Sequence, residues 1–337
     1  MKALIIEKEG HTVIGEISEP DMGARDVRIR VRHVGLCGTD FNSYRGFNPL
    51  VTLPRVPGHE IGGEIIEVGS DVPAEYAPDR RVVVVPYTNC GACASCRKGR
   101  LNACRYNKTL GVQQEGGLTR EIVVPMEKVI LNDTLAPQHL ALVEPLAVGF
   151  HAVARGQVAE EDTVVVLGCG MIGMGVLIGC VARGARVIAV DMSAEKLDLA
   201  RKFGAEATLN PTTHDVEKAV SELTADLGAD VVFEAVGTPA TFTQCITLAG
   251  YAGRVVYVGY SKAPVSYDTA YFNLKELDIL GSRNATMTDF QDVIAHLETI
   301  GDAADLLISK TFPFAEADQA FPYWTENRDN LKVMVAL

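Results

Sequence analysis

The chain has 337 residues, 47% of them hydrophobic and 22% charged, the balance of an ordinary globular protein with room for two or three domains. Its 43 acidic and 31 basic side chains leave a formal charge of −12, spread without long blocks. That excess disfavours a nucleic-acid or anionic-membrane surface, so neither partner is expected.

The first segment, MKALIIEKEGHTVIGEI, carries charges on both sides of a short apolar run and lacks a small-residue cleavage pattern. It reads as a strand and not as an export signal, so a reducing cytoplasmic setting is expected. Clustered cysteines there are more often metal ligands than disulfides. Across residues 1–147, short alternating or apolar runs recur (VRIRVRHVG, GGEIIEVGS, RVVVVPY, REIVVP), separated by glycine and proline. They predict a barrel-like β domain with long loops.

Three scattered motifs in this domain carry chemical groups: Cys37 and Thr39 in CGTD, His59 and Glu60 in PGHE, and Glu144 in ALVEPLAVGF. Taken singly, the cysteine reads as a small core hydrophobe and the histidine as a surface or capping residue. Glu144 stands out, because a carboxylate in an apolar run needs a partner or a metal.

Between these motifs, CGACASCRKGRLNAC spaces Cys90, Cys93, Cys96 and Cys104 as C-x2-C-x2-C-x7-C. Short C-x2-C hooks wrap one tetrahedral zinc ion, and Gly91 and Gly99 give the backbone freedom that such hooks require. A bacterial iron–sulfur run closes with a three-residue gap and a proline; here the gap is seven and Arg105 follows. Arg97, Lys98, Arg100 and Arg105 make a local basic patch, but a nucleic-acid knuckle does not suit so acidic a chain. Four thiolates leave zinc no open position, so the site is predicted to be structural.

Residues 148–284 change texture, with strands such as TVVVL, RVIAV and DVVFEAV alternating with helical stretches. This predicts a parallel sheet covered by helices. Val164–Ala182 runs nineteen residues without a charge, long enough for a membrane helix. Its VVVL start and five glycines favour a buried strand–turn–helix instead. The turn reads Gly168-x-Gly170-x-x-Gly173, the spacing that lets backbone approach a pyrophosphate at a helix N-terminus.

Asp191 ends the following strand, where an acid binds ribose hydroxyls and repels a 2′-phosphate. No arginine follows it, so NAD is favoured over NADP; the bland alternative for Asp191 is a helix cap. Cys169, Cys180 and Cys245 read as buried fillers. Residues 285–337 supply one helix and one strand, too little for a third domain, and are predicted to return to the first.

Together CGTD, PGHE, GGEIIEVG, the four-cysteine loop, the EP of VEPLAVG and GCGMIG resemble the zinc-containing medium-chain dehydrogenases, in the branch of sorbitol and threonine dehydrogenases. The resemblance covers essentially the whole chain. Within the branch, GVQQEGG and GSRNATMTDF are most similar to sugar-acid enzymes of the L-galactonate 5-dehydrogenase type.

The resemblance implies a GroES-like β-barrel catalytic domain and a doubly wound Rossmann domain. It also implies two zinc ions per chain, NAD, a homodimer or homotetramer, and a small alcohol, polyol or sugar-acid substrate. Cys37 and His59 would be catalytic zinc ligands, Glu60 and Glu144 the carboxylates that exchange near the metal, and Thr39 the hydroxyl that passes on the substrate proton. Cofactor contacts carry over to Met171, Ile172, Lys196, Val258, Gly281 and Ser282 beside the glycine turn and Asp191.

One departure from the family pattern is Asn42, which stands where threonine dehydrogenases have a histidine. It cannot titrate near neutrality, so threonine is a doubtful substrate and the proton must leave by another route. Tyr44, Arg45 and Arg283 are candidates for substrate contact, each with a bland surface or packing alternative. The rival readings are a dehydrogenase of simple or amino alcohols and a non-catalytic nucleotide-binding relative.

Overall fold

The alternating run DVRIRVRHVGL forms an eleven-residue strand, Asp26–Leu36, that buries Val27, Ile29, Val31 and Val34. β-Branched side chains at every second position suit a pleated surface with one face in a core. The strand pairs antiparallel with Glu60–Val68, Glu121–Pro125 and Lys332–Ala336. The computed structural model describes residues 1–327 and 329–337, and these form two compact units, Met1–Glu144 with Thr286–Leu337, and Pro145–Ala285.

The first unit is built on a seven-stranded sheet. Its spatial order is Ile308–Pro313, Lys332–Ala336, Asp26–Leu36, Glu60–Val68, Arg81–Val84 and Val129–Leu131, with Glu121–Pro125 also paired to Asp26–Leu36. Leu4, Ile6, Leu36, Ile61, Ile65, Leu118 and Phe321 are fully buried in its core, each contributing about 1.5–3 kcal/mol by leaving water. The last strand runs antiparallel to Asp26–Leu36, with Val333 opposite Leu36. The chain's C-terminal end thereby meets the segment that leads into Cys37.

The second unit holds a parallel six-stranded sheet. In space its strands are ordered Ala207–Leu209, Arg186–Val190, Thr163–Leu167, Ala229–Glu234, Ala249–Tyr257 and Asp278–Gly281. Numbered along the chain within this unit, that is 3-2-1-4-5-6, the doubly wound order of dinucleotide-binding folds. Val164, Val165, Val166, Val187, Ile188, Val231 and Val232 are completely buried, as strands covered on both faces must be. The apolar run that met the membrane-length criterion divides into the strand Thr163–Leu167 and the helix Met171–Ala182. Among the described residues no helix is long and apolar enough to cross a membrane.

Candidate active site

The four cysteines of the long loop converge. Ligand atoms of Cys90, Cys93, Cys96 and Cys104 lie within 4.8 Å of one another, and all four are free thiols. Backbone N–H groups point at the sulfurs: Cys93 N–H donates to Cys90 Sγ at 3.3 Å, and Cys90 and Tyr106 N–H donate to Cys104 Sγ at 3.4 and 3.3 Å. The Ser95 hydroxyl and nearby backbone donors hold the Cys93 thiol down at about 5, so its ligand form prevails at neutral pH. Four sulfurs converging among such donors fit a single zinc ion.

The second cluster is assembled from distant segments. Where Asp26–Leu36 ends, Cys37 caps the short helix Gly38–Tyr44, and Thr39 N–H donates to Cys37 Sγ at 3.1 Å. Asp40 closes a capping box by accepting from Cys37 N–H at 3.1 Å, and its other oxygen accepts from Gly58 N–H at 3.1 Å. A single buried aspartate thus ties the cysteine segment to the PGHE loop. His59 Nε2 lies 3.0 Å from Cys37 Sγ, while Asp40 Oδ1 stands 3.7 Å from His59 Nδ1. An acid beside the outer nitrogen is the usual support for a metal-binding imidazole.

Glu60 opens the strand Glu60–Val68 directly opposite Gly35. A Cβ at Gly35 would lie only 1.9 Å from Glu60 Oε2, so the glycine makes room for the carboxylate. Both Glu60 oxygens lie 2.5 Å from Lys332 Nζ, which also donates to Leu36 O at 2.9 Å. Lys332 and Glu60 are both 1% exposed, so the ammonium is what makes the buried carboxylate tolerable. Among the described residues, ligand atoms of Cys37, His59 and Glu60 lie within 4.8 Å of one another. Glu144 is not in that set; it is buried nearby and accepts a hydrogen bond from the Tyr87 hydroxyl.

The electrostatics describe a site that attracts a cation. Burial pulls the His59 imidazole down, but Cys37, Asp40 and Glu144 outweigh it and hold its pKa well above the ordinary value. Burial, with Glu60 adding repulsion, lifts Glu144 to about 7. Burial and then Glu144 push Tyr87 well up, so the phenol stays a donor. His59 Nδ1 is buried without a hydrogen-bond partner. A thiol, an imidazole and a carboxylate facing one another, with further acids behind them, fit a zinc ion that keeps one position open.

In the second unit the glycine turn takes the expected form. Gly168 has φ +93°, and a Cβ at Gly173 would lie 1.7 Å from Gly168 O. Only glycine permits that approach, which brings helix Met171–Ala182 tight against the strand end with Gly170 as its cap. Met171 and Ile172 form its first turn. Asp191, at the end of Arg186–Val190, accepts from Cys169 N–H at 2.7 Å and from Ser193 N–H at 2.9 Å. It links the glycine turn to the cap of the next helix, where Lys196 N–H donates to Ser193 Oγ at 3.3 Å.

Val258, Gly281 and Ser282 lie at the ends of the adjacent strands, with Val258 N–H on Glu234 O at 3.0 Å and Ser282 N–H on Tyr257 O at 2.9 Å. All stand at the carboxyl ends of the sheet, where such folds take their ligands. Cys169, Cys180 and Cys245 are buried.

Other singled-out residues fall elsewhere. Tyr44 stacks on Phe321 at 4.9 Å as part of the packing of the first unit. Arg45 is exposed, its guanidinium 4.7 Å from the Phe47 ring centre and 5.5 Å from that of Phe41. Arg283 is also exposed. Sequence reasoning missed Asp40, Tyr87 and Lys332. The C-x-x-D spacing of a capping box could have marked Asp40, and a lone lysine within the apolar LKVMVAL could have marked Lys332. Tyr87 carries no sequence signal of its own.

Two family models match the chain: an alcohol dehydrogenase GroES-like domain over residues 23–134 and a zinc-binding dehydrogenase over residues 172–299. L-galactonate-5-dehydrogenase of Escherichia coli K12 is 32% identical, over 95% of this chain and 94% of its own length. A protein of Sinorhizobium meliloti 1021, solved with NADP bound, superposes with a TM-score of 0.91 at 32% identity, covering 100% of this chain and 99% of its own. An alcohol dehydrogenase of Escherichia coli CFT073, solved with NADH, gives 0.92 at 31% identity, covering 100% and 99%.

A GroES-like unit with a cysteine–histidine–glutamate cluster and a doubly wound dinucleotide unit together define an oxidoreductase of alcohols. The chain belongs to the zinc-type medium-chain alcohol and polyol dehydrogenases.

Proposed function

We propose that this chain is a zinc-dependent dehydrogenase that uses NAD to oxidise a secondary alcohol of a polyol or sugar acid, with an L-galactonate-like compound as the leading candidate. The observation that carries the reading is the convergence of Cys37, His59 and Glu60, three ligand types from separate segments, around a common point. The L-galactonate relative supports the substrate class.

In this reading Cys37, His59 and Glu60 hold a catalytic zinc, and Cys90, Cys93, Cys96 and Cys104 hold a structural one. When bound, the catalytic zinc acidifies a coordinated hydroxyl and NAD accepts the two electrons of the oxidation. Thr39, half-buried on the first turn of Gly38–Tyr44, receives the substrate proton at its hydroxyl. Asn42, one turn on from Thr39, does not titrate, so the proton passes onward by another group.

Gly168, Gly170 and Gly173 seat the pyrophosphate, and Asp191 faces the adenosine ribose. Asp191 supports NAD over NADP because its carboxylate repels a 2′-phosphate. The chain acts as a homodimer or homotetramer; the outer edge of Asp278–Gly281, which exposes Ile279, suits pairing with the same strand of a second copy. Eight free cysteines fit a reducing, cytoplasmic setting.

A panel of polyols, aldonates and simple alcohols, offered with NAD or NADP and followed by absorbance of the reduced cofactor, tests the reading. Turnover is expected with at least one polyol or aldonate and faster with NAD. Activity confined to simple alcohols would overturn the substrate class, and silence across the panel would overturn the enzymatic reading.

A further inference from the structure

Two buried carboxylates, Glu60 and Glu144, stand close enough to perturb each other, yet only Glu60 joins Cys37 and His59 in the ligand set. A carboxylate resting as a fourth protein ligand would compete with substrate for the metal's open position. Something must therefore keep Glu144 outside. We propose that Tyr87 is the positioning residue that does so, and that its hydroxyl keeps the fourth coordination position open. The inference rests on the metal reading above.

Tyr87 is well built for that task. It is 6% exposed and lies just beyond the strand Arg81–Val84. Its ring meets the Phe290 ring edge-on at 6.4 Å between centres, so packing fixes where the hydroxyl points. That hydroxyl donates to Glu144 Oε1. Glu144 is carried on the long helix Pro137–Arg155, whose backbone leaves the carboxylate only its side-chain torsions for movement. Held by the phenol, Glu144 has its charge delocalised into a hydrogen bond and loses the incentive to coordinate. Freed from it in a buried site, the same carboxylate has to find another partner, and a metal ion is the strongest one available.

The two carboxylates are thus held by different means. Glu60 is clasped by an ammonium between Leu36 and the last strand, a contact that fixes its place beside Cys37 and His59. Glu144 is tethered by a neutral donor, the Tyr87 hydroxyl. An outer partner of this kind, when removed, typically changes metal affinity or activity by about 10–100-fold.

The test is cadmium-113 NMR of the full protein loaded with 113Cd in place of zinc. The resonance position follows the number and kind of ligands, so the four-thiolate loop and the Cys37 cluster give separate signals. Tyr87→Phe is expected to move the Cys37-cluster signal as the Glu144 carboxylate takes the position that solvent would hold, and to lower turnover of the zinc form by roughly tenfold or more. Adding Glu144→Gln to that variant is expected to return the signal to its original position, whereas Glu144→Gln alone leaves it unmoved.

A Tyr87→Phe signal identical to wild type would overturn the inference. So would a shift that Glu144→Gln fails to reverse, which would mark a merely structural effect, or a shift caused by Glu144→Gln alone. That last outcome would overturn the inference even where Tyr87→Phe does not fold. Absence of the Cys37-cluster signal from the wild-type protein, beside an intact four-thiolate signal, would instead remove the metal reading and the inference with it.

Discussion

The two ligand clusters of the first unit are opposites in construction. Cys90, Cys93, Cys96 and Cys104 come from one loop within fifteen residues, and their setting ranges from exposed to buried. Cys37, His59 and Glu60 come from a helix cap, a loop and a strand start, and their neighbours Asp40, Tyr87, Glu144 and Lys332 are all buried. In the proposed reading the loop would spend its whole ligand set on one ion, so it would brace and not react. The scattered cluster is framed by strands, which hold side chains more rigidly, and with three ligands it would leave a metal one coordination position to fill. A structural metal needs only local chain; a reactive one needs the fold.

The sharpest way to break the comparison is to remove one cysteine from each cluster. Cys37→Ser is expected to lower turnover by about 10²–10³-fold, the scale lost with a preorganised electrostatic stabiliser. NAD binding, followed by quenching of protein fluorescence, should stay near wild type. Cys104→Ser is expected to act on stability instead, because metal-binding energy in such loops is folding energy. Its unfolding midpoint in denaturant should fall, and the folded fraction should retain turnover. A stable but inactive Cys104→Ser protein would contradict the division of roles.

Lys332→Met separates the framed cluster further from the loop. It leaves Glu60 buried without its ammonium, a change expected to cost about 3–5 kcal/mol of stability at neutral pH. Thermal unfolding of the metal-free protein measures this, and Lys332→Arg should recover part of the loss.

The smallest effect is expected outside both clusters. The Arg81 backbone N–H and then the Arg80 guanidinium hold Asp133 below its ordinary pKa. Because the folded value is the lower one, the stabilisation is present above the unfolded pKa of about 3.9 and fades as pH falls through the folded value. Asp133 is about half exposed, so Asp133→Asn should cost no more than about 1 kcal/mol at pH 7. That difference from wild type should disappear in acid, as read by denaturant midpoints across pH.

Legibility in the sequence followed the same divide. The four-cysteine loop and the Gly168–Gly173 turn are contiguous motifs whose chemistry is written in their spacing, and both folded as their spacing implied. The alternation of strands and helices after residue 148 likewise foretold a parallel sheet covered by helices, since strands buried on both faces need continuous apolar runs.

The partners of the scattered site were not legible. Lys332 meets Glu60 across 272 positions and Tyr87 meets Glu144 across 57; strand register and helix placement, not local pattern, create those contacts. Cys37 and His59 could be singled out because their motifs resemble a family, not because a separation of 22 positions announces a meeting. The residues that tune a site are often those whose only signal is the fold.

Metal content tests the central claim most directly. Elemental analysis of purified protein should find two zinc ions per chain in the wild type and one in Cys37→Ser, with the survivor held by the four-cysteine loop. One or no zinc in the wild type, or two retained after Cys37→Ser, would contradict the two-site division.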